Sequence, residues 1–129
     1  MFRAKKKNIK KNKILLFSRD SGGSNVIIPL IKPLKSRDYK IFLFGKDIAL
    51  KNYRLRGYKG KNISSVISII NVDNLVKFLM KEKFNFIITS TSGDDYTERY
   101  LWKAAEIVKI PTFAILDNWI NYGVRFSEL

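Results

Sequence analysis

Residues 14–25 have the sequence Ile-Leu-Leu-Phe-Ser-Arg-Asp-Ser-Gly-Gly-Ser-Asn, and this stretch decides the fold. Its first four residues form an uninterrupted apolar run, which is typical of a strand buried on both faces of a parallel sheet. The small and polar residues that follow predict a turn, after which Ser24 or Asn25 is expected to cap a helix. A strand, a glycine turn and a helix in this order predict the start of an α/β domain.

The same alternation continues along the chain. Further strands are predicted from short apolar runs at 41–44, 86–89 and 113–116, and a short third strand is predicted near 59–63, where the pattern is less clear. Helical spacing predicts helices between them, at 47–53, from 72 to the Lys81–Lys83 cluster, and after Asp95. The sequence therefore predicts an α/β fold with a single Rossmann-like parallel sheet of about five strands, in the order 3-2-1-4-5, with helices on both faces.

Two details of the helices are also predicted. Pro33 is expected to kink or restart the first helix, because a proline in a helix interior lacks the N–H that the helix needs. Asp95 and Glu98 have the spacing of a capping box, so Glu98 is expected to serve the start of the helix that follows Asp95.

The amino-acid composition limits the kinds of reaction that the chain can catalyse. The chain has 129 residues, enough for one domain, and 46% of them are hydrophobic. It contains no Cys and no His, which excludes disulfides, thiolate nucleophiles and histidine bases. We predict no metal site and no cofactor. Its apolar runs are too short for a bilayer-spanning helix or a secretory signal, so we expect a cytoplasmic location, with peripheral contact at the inner face of the membrane left open.

The formal net charge of +14 is unevenly distributed. Residues 1–13 contain seven cations and no acid, so we divide the chain into a basic, poorly ordered tail (1–12) and a Rossmann-like domain (13–129). The tail is either simply solvated or in contact with an anionic membrane surface or nucleic acid. We regard nucleic acid as the weaker alternative, because a sequence rich in Lys, Ile and Asn also reflects genome composition.

Two small-residue turns are the candidate binding site. Segments 21–25 and 90–94 follow the first and fourth predicted strands, which are neighbours in the order 3-2-1-4-5. Ligands of doubly wound sheets bind outside the carboxyl ends of the strands at this switch point. Both turns are expected to present free backbone N–H groups at a helix N-terminus, which suits a phosphate or another anion.

The predicted ligand-binding residues come from these turns and the segments beside them. They are Ser21, Gly22, Gly23, Ser24, Asn25, Thr91, Ser92, Gly93, Asp95, Arg99, Asp117 and Trp119.

Each of these features has a structural alternative. Gly22 and Gly23 are expected either to admit a ligand or to allow tight packing of the helix on the strand. The acids that follow the strands either act on a ligand or cap helices and shape turns. Arg99 either reaches an anionic ligand or pairs with an acid on the surface. Asp20 is our first choice as a general base toward a hydroxyl group, provided that burial raises its pKa.

The turn Asp20–Asn25, the loop Thr91–Gly93 and the pattern between them resemble the N-terminal half of two-domain glycosyltransferases of the GT-B type, as in bacterial surface-polysaccharide synthesis. The resemblance implies an acceptor-binding domain, a sugar nucleotide or sugar acceptor as ligand, and a second α/β domain or subunit. It also implies that Asp20 or Asp94 activates the acceptor.

Residues 1–129 include no donor domain, so the chain is expected to be incomplete for catalysis alone. The alternative function is a non-enzymatic Rossmann-like module that binds a nucleotide, nucleic acid or partner protein.

Overall fold

A computed structural model describes residues 12–117. The strands are β1 (Lys13–Ser18), β2 (Lys40–Gly45), β3 (Lys61–Asn62), β4 (Phe86–Thr89) and β5 (Thr112–Ala114). The α-helices are α1 (Ser21–Ser36), α2 (Ile48–Leu55), α3 (Val72–Glu82) and α4 (Thr97–Val108), and a 3-10 helix covers Ile63–Ser65. Within this range no helix is both long enough and apolar enough to cross a bilayer.

All five strands are parallel and lie in the order β3-β2-β1-β4-β5, which confirms the predicted topology. β1 is central: Ile14 lies between Ile41 of β2 and Phe86 of β4. The switch point is therefore between β1 and β4, because the chain continues outward in opposite directions from these two strands.

Alternate residues of β1 supply two cores. Leu15 and Phe17 pack with the face that carries α3 and α4, whereas Ile14 and Leu16 pack with α1 on the other face. A third small cluster joins α1 to α2. Helices on both faces are thus confirmed, and a central strand that is buried on both sides accounts for the unbroken apolar run.

Helix α1 differs from its prediction at two points. It begins at Ser21 rather than after Ser24 or Asn25, so the predicted glycine turn is its first helical turn. It also continues through Pro29 and Pro33, so the expected restart of the helix at Pro33 is wrong, whereas the expected kink stays a prediction. Both prolines are exposed, so the carbonyl groups that they leave without a helical partner lie on the side of α1 that faces water.

Tyr53 of α2 fixes the carboxyl ends of β1 and β2. Its buried hydroxyl group forms a hydrogen bond with Ser18 and donates another to the Phe44 carbonyl, at 3.0 Å. The ring lies against Gly45 and Gly60, where a Cβ would overlap it. These contacts hold the end of β1, and with it the start of α1, in a fixed position beside β2.

Candidate functional site

The two predicted turns lie side by side at the switch point. A Cβ placed on Gly23 would come within 2.5 Å of Ser90 Oγ and 2.8 Å of Asp20 Oδ1. Gly23 is therefore the residue that lets α1 pack directly on the end of β4, as the tight-packing alternative predicted. Because Gly23 and Ser90 are in contact, no ligand can lie between them, and any ligand must bind above this contact at the rim.

The N-terminus of α1 is occupied by carboxylates of the chain itself. Asp20 is the N-cap, and its Oδ1 accepts a hydrogen bond of 2.7 Å from the Gly23 N–H. Ser24 N–H donates to the Asp20 carbonyl. A Cβ on Gly22 would overlap the Asp117 carboxylate. The prediction that this turn presents free N–H groups to an anion is therefore wrong for Gly23 and Ser24.

The segment between β4 and α4 is organised by Glu98 and Asp95. Ser90 Oγ donates a hydrogen bond of 2.7 Å to Glu98 Oε2, which ties the end of β4 to the first turn of α4. Asp95 Oδ1 accepts a hydrogen bond from the Thr97 N–H. Tyr96, rather than Asp95, is the N-cap residue, so the predicted capping box is wrong. The capping box does not form because the Glu98 carboxyl group accepts a hydrogen bond from Ser90 instead.

Glu98 is only 1% exposed, and its environment disfavours a negative charge. Burial raises its pKa to about 7, the nearby carboxylates of Asp20 and Asp95 add to this rise, and the Ser90 hydroxyl opposes it. A carboxyl group with a pKa near 7 exchanges its proton readily at neutral pH, as an acid–base group must.

Arg99 is 3% exposed and supports the loop rather than reaching a surface acid. Its guanidinium donates to the Ser92 carbonyl at 3.2 Å and lies 4.5 Å from the centre of the Tyr96 ring. The surface-pairing alternative for Arg99 is therefore wrong, because the side chain turns inward to the carbonyl groups of the loop.

Three buried side-chain atoms in this loop and helix start have no hydrogen-bond partner in the described part of the chain. They are Ser92 Oγ, Glu98 Oε1 and Arg99 Nε. Unpartnered buried polar atoms are uncommon in folded proteins and reduce stability, so this cluster is the least well satisfied part of the edge. The Ser92 hydroxyl nevertheless lies close enough to Glu98 to oppose the rise in its pKa.

An ion-pair network joins the three connections that surround the site. Arg19 pairs with Asp47 at 2.9 Å, with Asp94 at 2.6 Å and with Asp95 at 3.6 Å, and Lys46 pairs with Asp95 at 2.8 Å. Burial alone would raise the pKa of Asp95, but its hydrogen bonds from Lys46 and Thr97 outweigh burial and hold that pKa below its usual value. Asp95 therefore stays ionised beside Glu98.

The carboxyl edge of the sheet is acidic although the chain is strongly basic. Six of the 11 acidic residues follow the carboxyl ends of strands, namely Asp20, Asp47, Asp94, Asp95, Glu98 and Asp117. The cations among them are Arg19, Lys46 and Arg99, and the first two are already paired with Asp. A polyanion therefore finds less favourable electrostatics at this edge than the overall charge suggests.

The structure brings most of the predicted site residues to this edge. Gly23, Ser24, Thr91, Ser92 and Arg99 are buried, Asp20, Gly22, Gly93, Asp95 and Asp117 are half-buried, and Ser21, Asn25 and Asp94 are exposed. Asn25 lies within α1 beyond its first turn, and Trp119 lies outside the described residues. The ligand-binding role of these residues stays a prediction.

Sequence reasoning missed Glu98, Arg19 and Lys46 as parts of the site. Ser90 lay in the predicted segment 90–94 but was not singled out. The signal for Glu98 was an acidic residue among the apolar positions of a predicted helix, but its spacing to Asp95 suggested a cap instead. Arg19 and Lys46 each directly follow a strand, so their meeting at one edge could be inferred from the predicted strand order.

The chain matches no known protein-family model, and none of the curated proteins is detectably similar to it. Its function is therefore inferred from the architecture and from the chemistry of this edge.

The glycine pair gives a matched test of the packing at the switch point. We expect Gly23→Ala to lower the free energy of unfolding by about 1–3 kcal/mol, because its Cβ meets Ser90 at the buried end of β4. In Gly22→Ala the Cβ meets the carboxylate end of the Asp117 side chain rather than the buried end of β4, so we expect a smaller loss of stability. Urea unfolding of both variants measures the difference, and equal stabilities would contradict the proposed contact.

Protonation of Glu98 predicts a pH dependence of stability. The pKa of Glu98 in the folded chain is about 7, against an ordinary value of 4.5, so the folded state holds the proton more tightly than the unfolded state does. Stability that is fully present below about pH 4.5 is therefore lost as the pH rises toward 7, by roughly 3 kcal/mol in total.

Glu98→Gln removes the titrating group but keeps an oxygen that accepts from Ser90. We expect urea unfolding of this variant to lose the fall in stability between about pH 5 and 7 and to exceed wild type in stability at pH 8. The control is Glu106→Gln on the exposed face of α4, which should retain the wild-type slope. A Glu98→Gln variant with the same pH profile as wild type would refute the assignment.

Proposed function

We propose that this chain is the N-terminal, acceptor-side domain of a cytoplasmic, glycosyltransferase-like protein of polysaccharide or glycoconjugate synthesis, and that it binds a hydroxyl-rich acceptor at the carboxyl edge of its sheet. The observation that carries this proposal is the clustering of carboxylates and hydroxyl groups at the switch point between β1 and β4. Carboxylates are strong acceptors for the hydroxyl groups of a sugar.

The choice of a sugar acceptor over a sugar nucleotide follows from the electrostatics. The diphosphate group of a sugar nucleotide needs unpaired N–H groups or free cations, as at the start of a phosphate-binding helix. At α1 the Gly23 N–H is engaged by Asp20, and Arg19 and Lys46 are engaged by the Asp residues around them. A neutral polyol avoids the repulsion that a diphosphate would meet from these carboxylates.

Asp20 is the proposed base of this site. It is half-buried at the rim, and its orientation is fixed because Oδ1 accepts from the Gly23 N–H. In the proposed reaction the acceptor hydroxyl transfers its proton to this carboxylate as its oxygen bonds to the anomeric carbon of the donor and the donor phosphate departs. A second α/β domain would supply the donor sugar.

Asp94 is the weaker candidate for the base. Its carboxylate is exposed, and its Oδ1 is already engaged by Arg19 at 2.6 Å. We therefore assign Asp94 to holding Arg19 and the loop in place.

Amide chemical shifts of the full chain test this function with defined probes. The probes are methyl glycosides of glucose, galactose, mannose and N-acetylglucosamine, compared with UDP-glucose and inorganic phosphate. We expect at least one glycoside to shift the amides of 20–24 and 90–95, and phosphate to leave them unchanged, because the acidic edge favours a neutral polyol.

Asp20→Asn is the matched variant, because Asn is as good an N-cap as Asp and so preserves α1. Its affinity for that glycoside should fall about tenfold, the cost of one charge-assisted hydrogen bond. Asp73→Asn, at an exposed acid in the first turn of α3, should bind like wild type. The proposal fails if no glycoside shifts these amides, or if phosphate or UDP-glucose shifts them instead.

A further inference from the structure

The amino edge of the sheet is basic, in contrast to the acidic carboxyl edge. We use the name amino edge for the helix ends and connections that lead into β2, β4 and β5, residues 35–40, 81–85 and 109–111. Of the two acids in these segments, Asp38 is exposed, whereas Glu82 is half-buried and lies 3.7 Å from Lys13 in an ion pair. Six exposed cations lie in the same segments, namely Lys35, Arg37, Lys40, Lys81, Lys83 and Lys109.

Hydrogen bonds hold two of these connections against the start of β1. The Lys40 N–H donates to the Asn12 carbonyl, and the Asn85 N–H donates to the Lys13 carbonyl, both at 2.8 Å. The third connection lies beside β4, because the Pro111 carbonyl accepts from that strand at 3.0 Å. The strands β2, β1, β4 and β5 together are about 15 Å wide. The six cations therefore belong to one face of the molecule.

Two of these lysines occupy positions that favour glycine. Lys83 and Lys109 directly follow α3 and α4 with φ of 58° and 62°, in the left-handed region. Glycine adopts this conformation without steric cost, and Asn is the next most favourable residue. Since the backbone alone favours glycine, the two lysines fit a face on which positive charge has a use.

Exposed apolar side chains accompany these cations. Met80, in the last turn of α3, is 63% exposed, and Ile107, in the last turn of α4, is 53% exposed. Lys81 and Lys109 follow them closely in the chain. An open groove of about 560 Å³ at the same edge also combines cations with apolar side chains, and it is lined by Lys35, Tyr39, Lys40 and Ile41.

This combination favours an anionic bilayer surface over a nucleic acid. A bilayer interface accepts apolar side chains at the boundary of its acyl chains, while the cations beside them contact the headgroup phosphates. Each Lys or Arg near an anionic bilayer raises the affinity roughly fivefold. A nucleic acid would engage the cations through its phosphates but would leave Met80 and Ile107 in water.

We propose that the amino edge docks on an anionic lipid surface, with Lys83 and Lys109 at the headgroup phosphates and Met80 and Ile107 at the interface. Residues 1–11, which contain six further cations, join the described chain at this edge. The acidic carboxyl edge is repelled by such a surface. The candidate site therefore faces away from the bilayer, about 20 Å from it along the strands.

Co-sedimentation of the full chain with lipid vesicles tests this docking. The vesicles contain phosphatidylcholine alone, or phosphatidylcholine with about one-third phosphatidylglycerol. We expect the chain to bind the anionic vesicles in about 0.1 M NaCl and to bind them at least about tenfold more weakly in about 0.5 M NaCl, because salt screens exposed charges. Neutral vesicles should bind far more weakly at both salt concentrations, since they lack the anionic lipid that attracts the cations.

The informative double variant combines Lys83→Asn with Lys109→Asn, because Asn suits the left-handed conformation and preserves both helix ends. Its affinity for the anionic vesicles should fall roughly 25-fold, as the loss of two interfacial cations implies. The matched control combines Lys51→Gln with Lys61→Gln. Both of these lysines are exposed and lie toward the carboxyl ends of the strands, so this control should bind nearly as wild type does.

A second pair of variants tests the apolar contribution. Ile107→Gln should bind the anionic vesicles roughly fivefold more weakly than wild type, because an apolar side chain no longer leaves water at the interface. Its fold should be intact, since Ile107 is exposed. Ile48→Gln is the control, at a side chain that is 47% exposed at the start of α2, and it should retain the wild-type affinity.

Three results would overturn the proposal. Wild-type affinity in the double asparagine variant would assign vesicle binding to residues 1–11 alone. Wild-type affinity in Ile107→Gln would reduce the contact to charge attraction without docking at the interface. Binding to a DNA duplex of about 20 base pairs, with none to vesicles, would make the amino edge a nucleic-acid surface. The acceptor-binding function is independent of all three results, because glycosides are titrated without vesicles.

Discussion

The hydrogen bond from Ser90 Oγ to Glu98 Oε2 is the contact on which the rest of the candidate site depends. It joins the backbone just after β4 to the first turn of α4, directly above the apolar core. Gly23 packs against the same serine from α1, so one side chain fixes the relative positions of the two helices that start at the switch point. Replacing Gly23 by any larger residue would push these two helix starts apart.

Burial of Glu98 has an energetic cost that its neighbours increase. The cations at this edge of the sheet are engaged by other groups: Arg19 and Lys46 pair with other acids, and Arg99 donates to a loop carbonyl. Glu98 is therefore stable in its place chiefly as a neutral acid. An arrangement that sacrifices stability at a strand end is common at functional sites, where groups are held for a ligand rather than for the fold.

Most of the fold could be predicted because β1 and β4 are buried on both faces, which leaves a strong apolar signal in the sequence. The strand order followed from the rules of doubly wound sheets and was confirmed. The start of α1 could not be predicted in the same way. Gly22 and Gly23 are poor helix formers, and the contact with Ser90 that favours glycine at 23 joins residues far apart in the sequence.

The position of the candidate site could be predicted from the sequence, but the hydrogen bonds of its side chains could not. The two small-residue turns do meet, yet the sequence could not indicate that Asp20 would occupy the amide of Gly23 or that Glu98 would turn inward to Ser90. Both outcomes depend on side-chain directions that are set by packing. The spacing of Asp95 and Glu98 favoured a capping box. In the folded chain Glu98 instead accepts the hydrogen bond from Ser90, which lies eight residues away.

Titration of the Glu98 carboxyl carbon by its chemical shift, in the full chain, tests the central claim most directly. A buried, uncompensated carboxyl group held by Ser90 should titrate with a pKa of about 7. A midpoint near the ordinary value of 4.5 would mean that Glu98 is solvated or paired with a cation, and it would contradict the claim that a buried neutral acid organises this edge of the sheet.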